Sequence, residues 1–262
     1  ISYSNIAGGQ DSIITNDNGT VSWGDGSLGT DPRFVNPDSS DYHLLANSLC
    51  INAGHPDSLD SDGSISDMGV FPYLNSYSGP DWYVEPVGND TTGTGSIGSP
   101  FASIQSAINF ATTDGDSIAV AAGTYVENIN FRGRNIKVVG EDRETTIIDG
   151  DSSGIVVTFD SGEDTTSVLS GFTIQNGSGT DAWPYAAGGI LCNDASPKLE
   201  DLVIEENSGT YAGGILLYSS EAQLNNLSIT NNSSSYGGGI YTDWSNPVMN
   251  NLVITNNTGG AG

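Results

Sequence analysis

The chain of 262 residues carries 32 Asp and Glu against 6 Lys and Arg, a formal charge of -26, and 35 glycines. A surface this negative repels nucleic acid and anionic lipid, which removes both as partners, and no apolar run is long enough for membrane insertion. The same excess of carboxylates favours bound cations, and the balance suits an extracellular or cell-surface protein.

In chain order, the sequence opens on ISYSNIAGG without a leader pattern, as a mature form or an excised piece would. Residues 1–75 form a first unit of short extended stretches. Within it, HPDSLDSDGSISDMG places Asp57, Asp60, Asp62 and Asp67 around Gly63. Alternating carboxylates about a tight glycine turn can converge oxygens at calcium spacing, although the Glu that closes an EF-hand loop is missing. Calcium is the cofactor expected there, against a solvated acidic turn. His43 and His55 lie in the same unit and are expected on the surface or in packing. Cys50 and Cys192 belong to no CxxC pair, so buried thiols are expected rather than a disulfide, zinc or redox site.

Residues 76–81 read as a linker. Residues 82–262 begin with a change of period: Ile104, Ala107, Ile108 and Ala111 follow helical spacing after Ser103, a candidate N-cap. This predicts a short capping helix over 103–111. Strands follow at 118–121, 128–131, 136–139 and 146–148, with looser turns at 155–159 and 169–174. An extra stretch, SGTDAWPYAA, then carries Trp183 and Tyr185.

From residue 188 the chain is three consecutive copies of one unit, 188–212, 213–237 and 238–262. Its apolar positions fall in columns: Ile190/Ile215/Ile240, Leu199/Leu224/Met249, Leu202/Leu227/Leu252 and Ile204/Ile229/Ile254. Alternation around Leu202 and Ile204 means strand, and glycine pairs with Ser/Asn clusters break the chain between strands. Stacking each copy on the next, roughly 4.8 Å away, buries all four columns. LEDLVIEEN, LNNLSITNN and MNNLVITNN also fit a leucine-rich-repeat template. That fold requires an apolar residue soon after the Asn, and here Ser-Gly, Ser-Ser and Thr-Gly follow. The expected fold class is therefore all-β, a parallel β-helix solenoid. Asn207, Asn232 and Asn257 form a column of amides that can hydrogen-bond along the stack, a structural role.

DWYVEPVGND, GSPFASIQSAINFATTDGDSIAVAAGTYVENINF, TIIDGD and the GGI…SP…N copies resemble the right-handed parallel β-helix superfamily that includes pectate-lyase-like proteins. The resemblance covers about residues 81–262. A second match, GTDPRFVNPDSSDYHLLANSLCINAGHPDSLDSDGSISDMGVFPY, is similar to the segment with which many bacterial members close their coil. The order of parts implies the tail of one coil joined to the head of another. Copies of the chain are then expected to assemble end to end, unless adjoining domains of a longer chain take that place.

The resemblance also says what catalysis would need: a Lys, Arg or His base beside a cation for a lyase, or paired acids for a hydrolase. Among the regular copies no acid stands above another acid, and Lys198 is the only base. Arg132, Arg134, Lys137 and Arg143 are expected to pair with Glu141, Asp142 and Glu144 on a solvated edge; an anionic-sugar site using Arg132 or Lys137 is the rival. Trp183, Tyr185, Tyr211 and Tyr236 could stack on sugar rings or shield core. The reading is a non-catalytic extracellular spacer or filament-forming element, with a polysaccharide lyase or a glycan-binding adhesin as alternatives.

Overall fold

A strand that buries one face still needs a partner along each edge, and here the partner is the next copy of the same strand. The computed structural model describes residues 1–16, 19–179 and 186–260. The longest sheet runs from Asp81–Val84 through Ser117–Val120, Lys137–Gly140, Val168–Gln175, Lys198–Glu205 and Gln223–Thr230 to Val248–Thr255, neighbours pairing in that order. Gly123–Val126 and Thr146–Asp149 continue it beside Val168–Gln175. A second sheet joins Ile129–Asn130, Val157–Phe159, Ile190–Asn193, Ile215–Tyr218 and Ile240–Asp243, and a third joins Ser178–Gly179, Ser208–Gly209 and Ser233–Ser234. Every pairing in these three sheets is parallel.

The columns read from the sequence are physical files. Leu202 pairs in register with Leu227, and Leu227 with Leu252. Leu202 and Leu227 are buried, and Leu252 packs against the same core from the last turn. Burial requires the layer above: Leu224 and Ile229 are fully enclosed, whereas Met249 and Ile254, one turn on, are exposed.

The eight-residue strands cannot hold one alternation throughout. In Lys198–Glu205 the buried positions are Leu199, Leu202 and Ile204, so the phase slips by one residue between the first two. The slip is made at Asp201, whose φ is 53°, and recurs at Asn226 and Asn251, both with φ 54°. Asp and Asn tolerate this left-handed conformation better than other non-glycine residues. These side chains form an outer ladder: Asn226 Nδ2 donates to Asp201 Oδ1 at 2.9 Å, and Asn251 Nδ2 to Asn226 Oδ1 at 2.7 Å. At the next corner the backbones approach more closely. A Cβ on Gly213 would lie 2.6 Å from the Gly238 carbonyl, which explains the glycine pairs.

The inner amide ladder is buried. Asn232 Oδ1 accepts from Asn207 N and Nδ2, both at 3.0 Å. Its Nδ2 donates to Ile204 O at 2.8 Å and to Asn257 Oδ1 at 3.0 Å. Asn207 Oδ1 in turn accepts from Gly177 N at 2.8 Å. One side chain thus satisfies a backbone N–H and a backbone C=O of the preceding turn, which a corner without regular strand pairing would leave orphaned.

The helix, Ile104–Phe110, lies across the apolar end of the coil and is buried along its whole length. Ser103 precedes it with extended backbone but makes no side-chain cap; the Glu127 carboxylate accepts from Ile104 N at 2.7 Å and Gln105 N at 3.0 Å instead. Residues of the first unit pack on this helix. Asn109 Nδ2 donates to Ala46 O and Ser48 O at 2.9 and 2.8 Å, and Leu44, Ala46, Cys50 and Ile51 share one core with Trp82, Phe101 and Ile108. Cys50 and Cys192 are free and buried, and burial raises the Cys192 thiol far above its usual range.

Replacing Asn232 with Ala strips partners from buried Asn207 and Ile204 groups on the preceding turn and from Asn257 on the next, and is expected to cost about 3 kcal/mol of stability. Asn225→Ala, which removes one exposed amide contact, should cost below about 1 kcal/mol. Guanidinium unfolding of both variants checks the difference.

Candidate functional site

The second sheet is apolar on both faces. Ile190 and Cys192 point into the main core, while Leu191 and Leu216, in register with each other, form a separate outer cluster with Ala187 and Ala212. A sheet lined on both sides is covered on both sides. Part of the cover is aromatic: Tyr211, Tyr218 and Tyr241 lean on the cluster.

Tyr211 and Tyr236 occupy equivalent places on successive turns, just before the glycine pairs. Their rings stack with centroids 4.9 Å apart and planes 7° from parallel. Tyr241 meets both edge-on, at 5.7 and 6.2 Å. Such pairs add about 0.5–1.5 kcal/mol beyond the area they bury, so the ledge is stiff before any ligand arrives. Tyr236 remains 49% exposed, and Trp244, on the same turn as Tyr241, is 83% exposed with φ 48°. Trp183 and Tyr185 lie outside the described residues. Tyr241 was missed in the sequence because the column Leu191/Leu216/Tyr241 stands one place after the inward Ile column. The signal was there: apolar residues on consecutive positions of a strand mean two covered faces.

The acidic loop is organised around backbone N–H groups. Asp60 Oδ2 accepts from Asp67 N at 3.0 Å; Asp62 accepts from Ser64 N at 3.1 Å and from Asn75 N at 2.8 Å. Asp67 accepts from Asn52 N at 2.8 Å and Tyr73 N at 2.7 Å. Asp57 is exposed, 3.9 Å from His55 Nδ1. Among the described residues no group of three or more His, Cys, Asp or Glu is placed to hold a metal. The Asp60, Asp62 and Asp67 carboxylates each accept from backbone amides, and Asp67 ties Asn52 to Tyr73. Burial pushes the Asp67 carboxyl up to about 6, helped by the charges of Asp60 and Asp62 and opposed by its two amide donors.

The basic cluster also differs from expectation. Arg143 does pair with Glu144, at 3.2 Å, and it reaches across turns to Asp201 at 3.1 Å. Arg132 is not on a solvated edge: it is largely buried and donates to Asn109 Oδ1 at 2.6 Å and Ile51 O at 3.1 Å. Arg134 is likewise enclosed, with one buried guanidinium nitrogen unpartnered. For Arg132 the reason is the first unit, whose Ile51 carbonyl lies over it. Arg132 is therefore not free to serve as the anionic-sugar contact considered from the sequence; Lys137, the other residue considered, stands in register with Val168 on the long sheet.

No family model matches the chain, and no curated protein matches it. Solved structures of pectin methylesterase do resemble it. One, in complex with hexasaccharide VII, is 13% identical over 62% of this chain, with a TM-score of 0.35; the chain spans 56% of its length. A mutant in complex with hexasaccharide IV is 13% identical, over 66% of this chain and 61% of its own, with a TM-score of 0.39. The enzyme from Aspergillus niger is 14% identical, over 72% and 70%, with a TM-score of 0.37. With its parallel turns in register, the chain is a parallel β-helix. The expectation that the chain is no enzyme runs against these structures, each of a pectin methylesterase; at 13–14% identity they share its fold alone. Among the described residues no helix is long and apolar enough to cross a membrane.

Asp67 yields a pH test. Its carboxyl ordinarily titrates near 3.8 and near 6 in the fold, so the folded state holds the proton more tightly. The cost of burying this charge is present above pH 6 and relieved as pH falls towards 4, so stability from this group rises on acidification. Asp67→Asn should flatten the slope of unfolding free energy between pH 4 and 6, measured by denaturant titration at several pH values.

Proposed function

We propose that this β-helix is a secreted, polysaccharide-directed protein that seats sugar rings on the ledge formed by Tyr211, Tyr236 and Tyr241. The observation that carries the reading is the near-parallel stacking of Tyr211 and Tyr236 on successive turns, with Tyr236 half exposed. A rigid aromatic surface costs little entropy on binding, and its face accepts the C–H side of a pyranose. A ledge built at the repeat of the coil suits a polymer, which presents the same unit along its length.

Charge selects among polymers. With a formal charge of -26, the chain disfavours a polyanion unless cations bridge the two, so neutral or esterified polysaccharides are the better fit. The oligosaccharide complexes of the pectin methylesterase structures agree with a saccharide-directed role on this fold.

Affinity electrophoresis through gels containing neutral and methyl-esterified polysaccharides tests the proposal. Tyr236→Ala should reduce retention by about fivefold or more, near 1 kcal/mol, and should leave the circular dichroism unchanged. Retention equal to that of the unaltered chain in every polymer tested would remove the ledge as the binding surface.

A further inference from the structure

Three segments meet around a cavity of about 310 Å³: the hairpin made by Phe34–Asn36 and Asp41–Leu44, residues 72–74, and residues 91–94. The volume falls at the small end of the range for ligand sites. Two of the walls are fastened to each other. Tyr73 Oη donates to Gly93 O at 2.7 Å, and Asn75 Nδ2 donates to Thr94 O at 3.0 Å.

Part of the lining is apolar, with Val35, Pro72 and Leu74 contributing, and Leu74 is exposed. Phe71, also exposed, stacks on the ring of His43 with centroids 4.6 Å apart and planes 27° from parallel. Exposed large apolar side chains gathered at a concavity mark a binding surface.

The polar part is a pair, Asp41 and His43. Two places apart on one strand, they share a face, and His43 Nδ1 stands 2.7 Å from Asp41 Oδ1. Both line the cavity, and both are open to solvent: 60% of the His43 side chain is exposed and 40% of that of Asp41. Hydrogen bonds from the His43 side chain and backbone hold the Asp41 carboxyl below its usual range, so it is ionised and can only accept. Nδ1 therefore carries a proton, and in the neutral ring Nε2 is left as an acceptor.

The ligand follows from these features. An anion would meet the Asp41 carboxylate and a chain of formal charge -26. A sugar ring would set several hydroxyls against Val35, Pro72 and Leu74, where they find no partner. A flat apolar ring with one acidic O–H answers both parts of the lining. We infer that this cavity binds a small neutral phenol, its hydroxyl donating to His43 Nε2 and its ring lying on Pro72 and Leu74, at a site separate from the tyrosine ledge.

The intact chain is titrated by NMR with phenol and with anisole, which has the same ring and no O–H, in buffer at about pH 8, where an ordinary imidazole is neutral. Phenol should bind saturably and at least about fivefold more tightly than anisole. His43→Phe keeps an aromatic ring to stack on Phe71 but removes the acceptor. It should weaken phenol about tenfold, near 1.4 kcal/mol, and leave anisole unchanged. Leu74→Ala should weaken both probes alike, and Tyr236→Ala neither. If His43→Phe does not fold, the preference for phenol in the unaltered chain and the loss of both probes in Leu74→Ala carry the test. Absence of saturable phenol binding overturns the inference, as does equal affinity for phenol and anisole or unchanged phenol affinity in His43→Phe. Phenol binding lost in Tyr236→Ala would also overturn it, by placing the ring on the ledge.

Discussion

Every feature of the molecule depends on one constraint: a strand of this coil is paired, in register, with its own counterpart on the next turn. Parallel pairing at that register converts a sequence repeat into vertical files. The inner files become core, as with Leu202, Leu227 and Leu252. The corner files become amide ladders, as with Asn207, Asn232 and Asn257. The flank files become the tyrosine ledge. No file is stable alone, because each residue is satisfied or covered by its counterparts on neighbouring turns. Stability is then nearly a sum over neighbouring turns.

The parts of this account that follow from short-range regularity could be read from the sequence. Columns at a fixed offset named the core and the inner ladder, and the helical spacing of Ile104, Ala107, Ile108 and Ala111 named the lid. The bend at Asp201, Asn226 and Asn251 shows in the sequence only as a file of Glu-Asp and Asn-Asn doublets, whose backbone meaning required φ. What depended on distant segments was not legible. Arg132 looks like a surface charge because nothing near it in sequence could cover it; the cover is the loop near Ile51, far away in the chain. The packing of Ala46 and Ser48 on Asn109 is hidden for the same reason.

In the acidic loop, Asp60, Asp62 and Asp67 gather where backbone N–H groups are exposed, and each carboxylate accepts at least one of them. The tyrosine stack, by contrast, repeats with the coil.

The claim that residues one turn apart sit directly above each other can be tested by cross-linking the outward file Val203/Ser228/Val253. Parallel neighbours in register bring Cα atoms to roughly 4.8 Å, within disulfide range. Ser228→Cys combined with Val253→Cys should oxidise to an intramolecular bridge, seen by mass spectrometry after non-reducing digestion. Ser228→Cys combined with Ile254→Cys, whose side chains point to opposite faces, should not. A bridge in the second pair but not in the first would contradict the register, and with it the files on which the core, the ladders and the ledge are built.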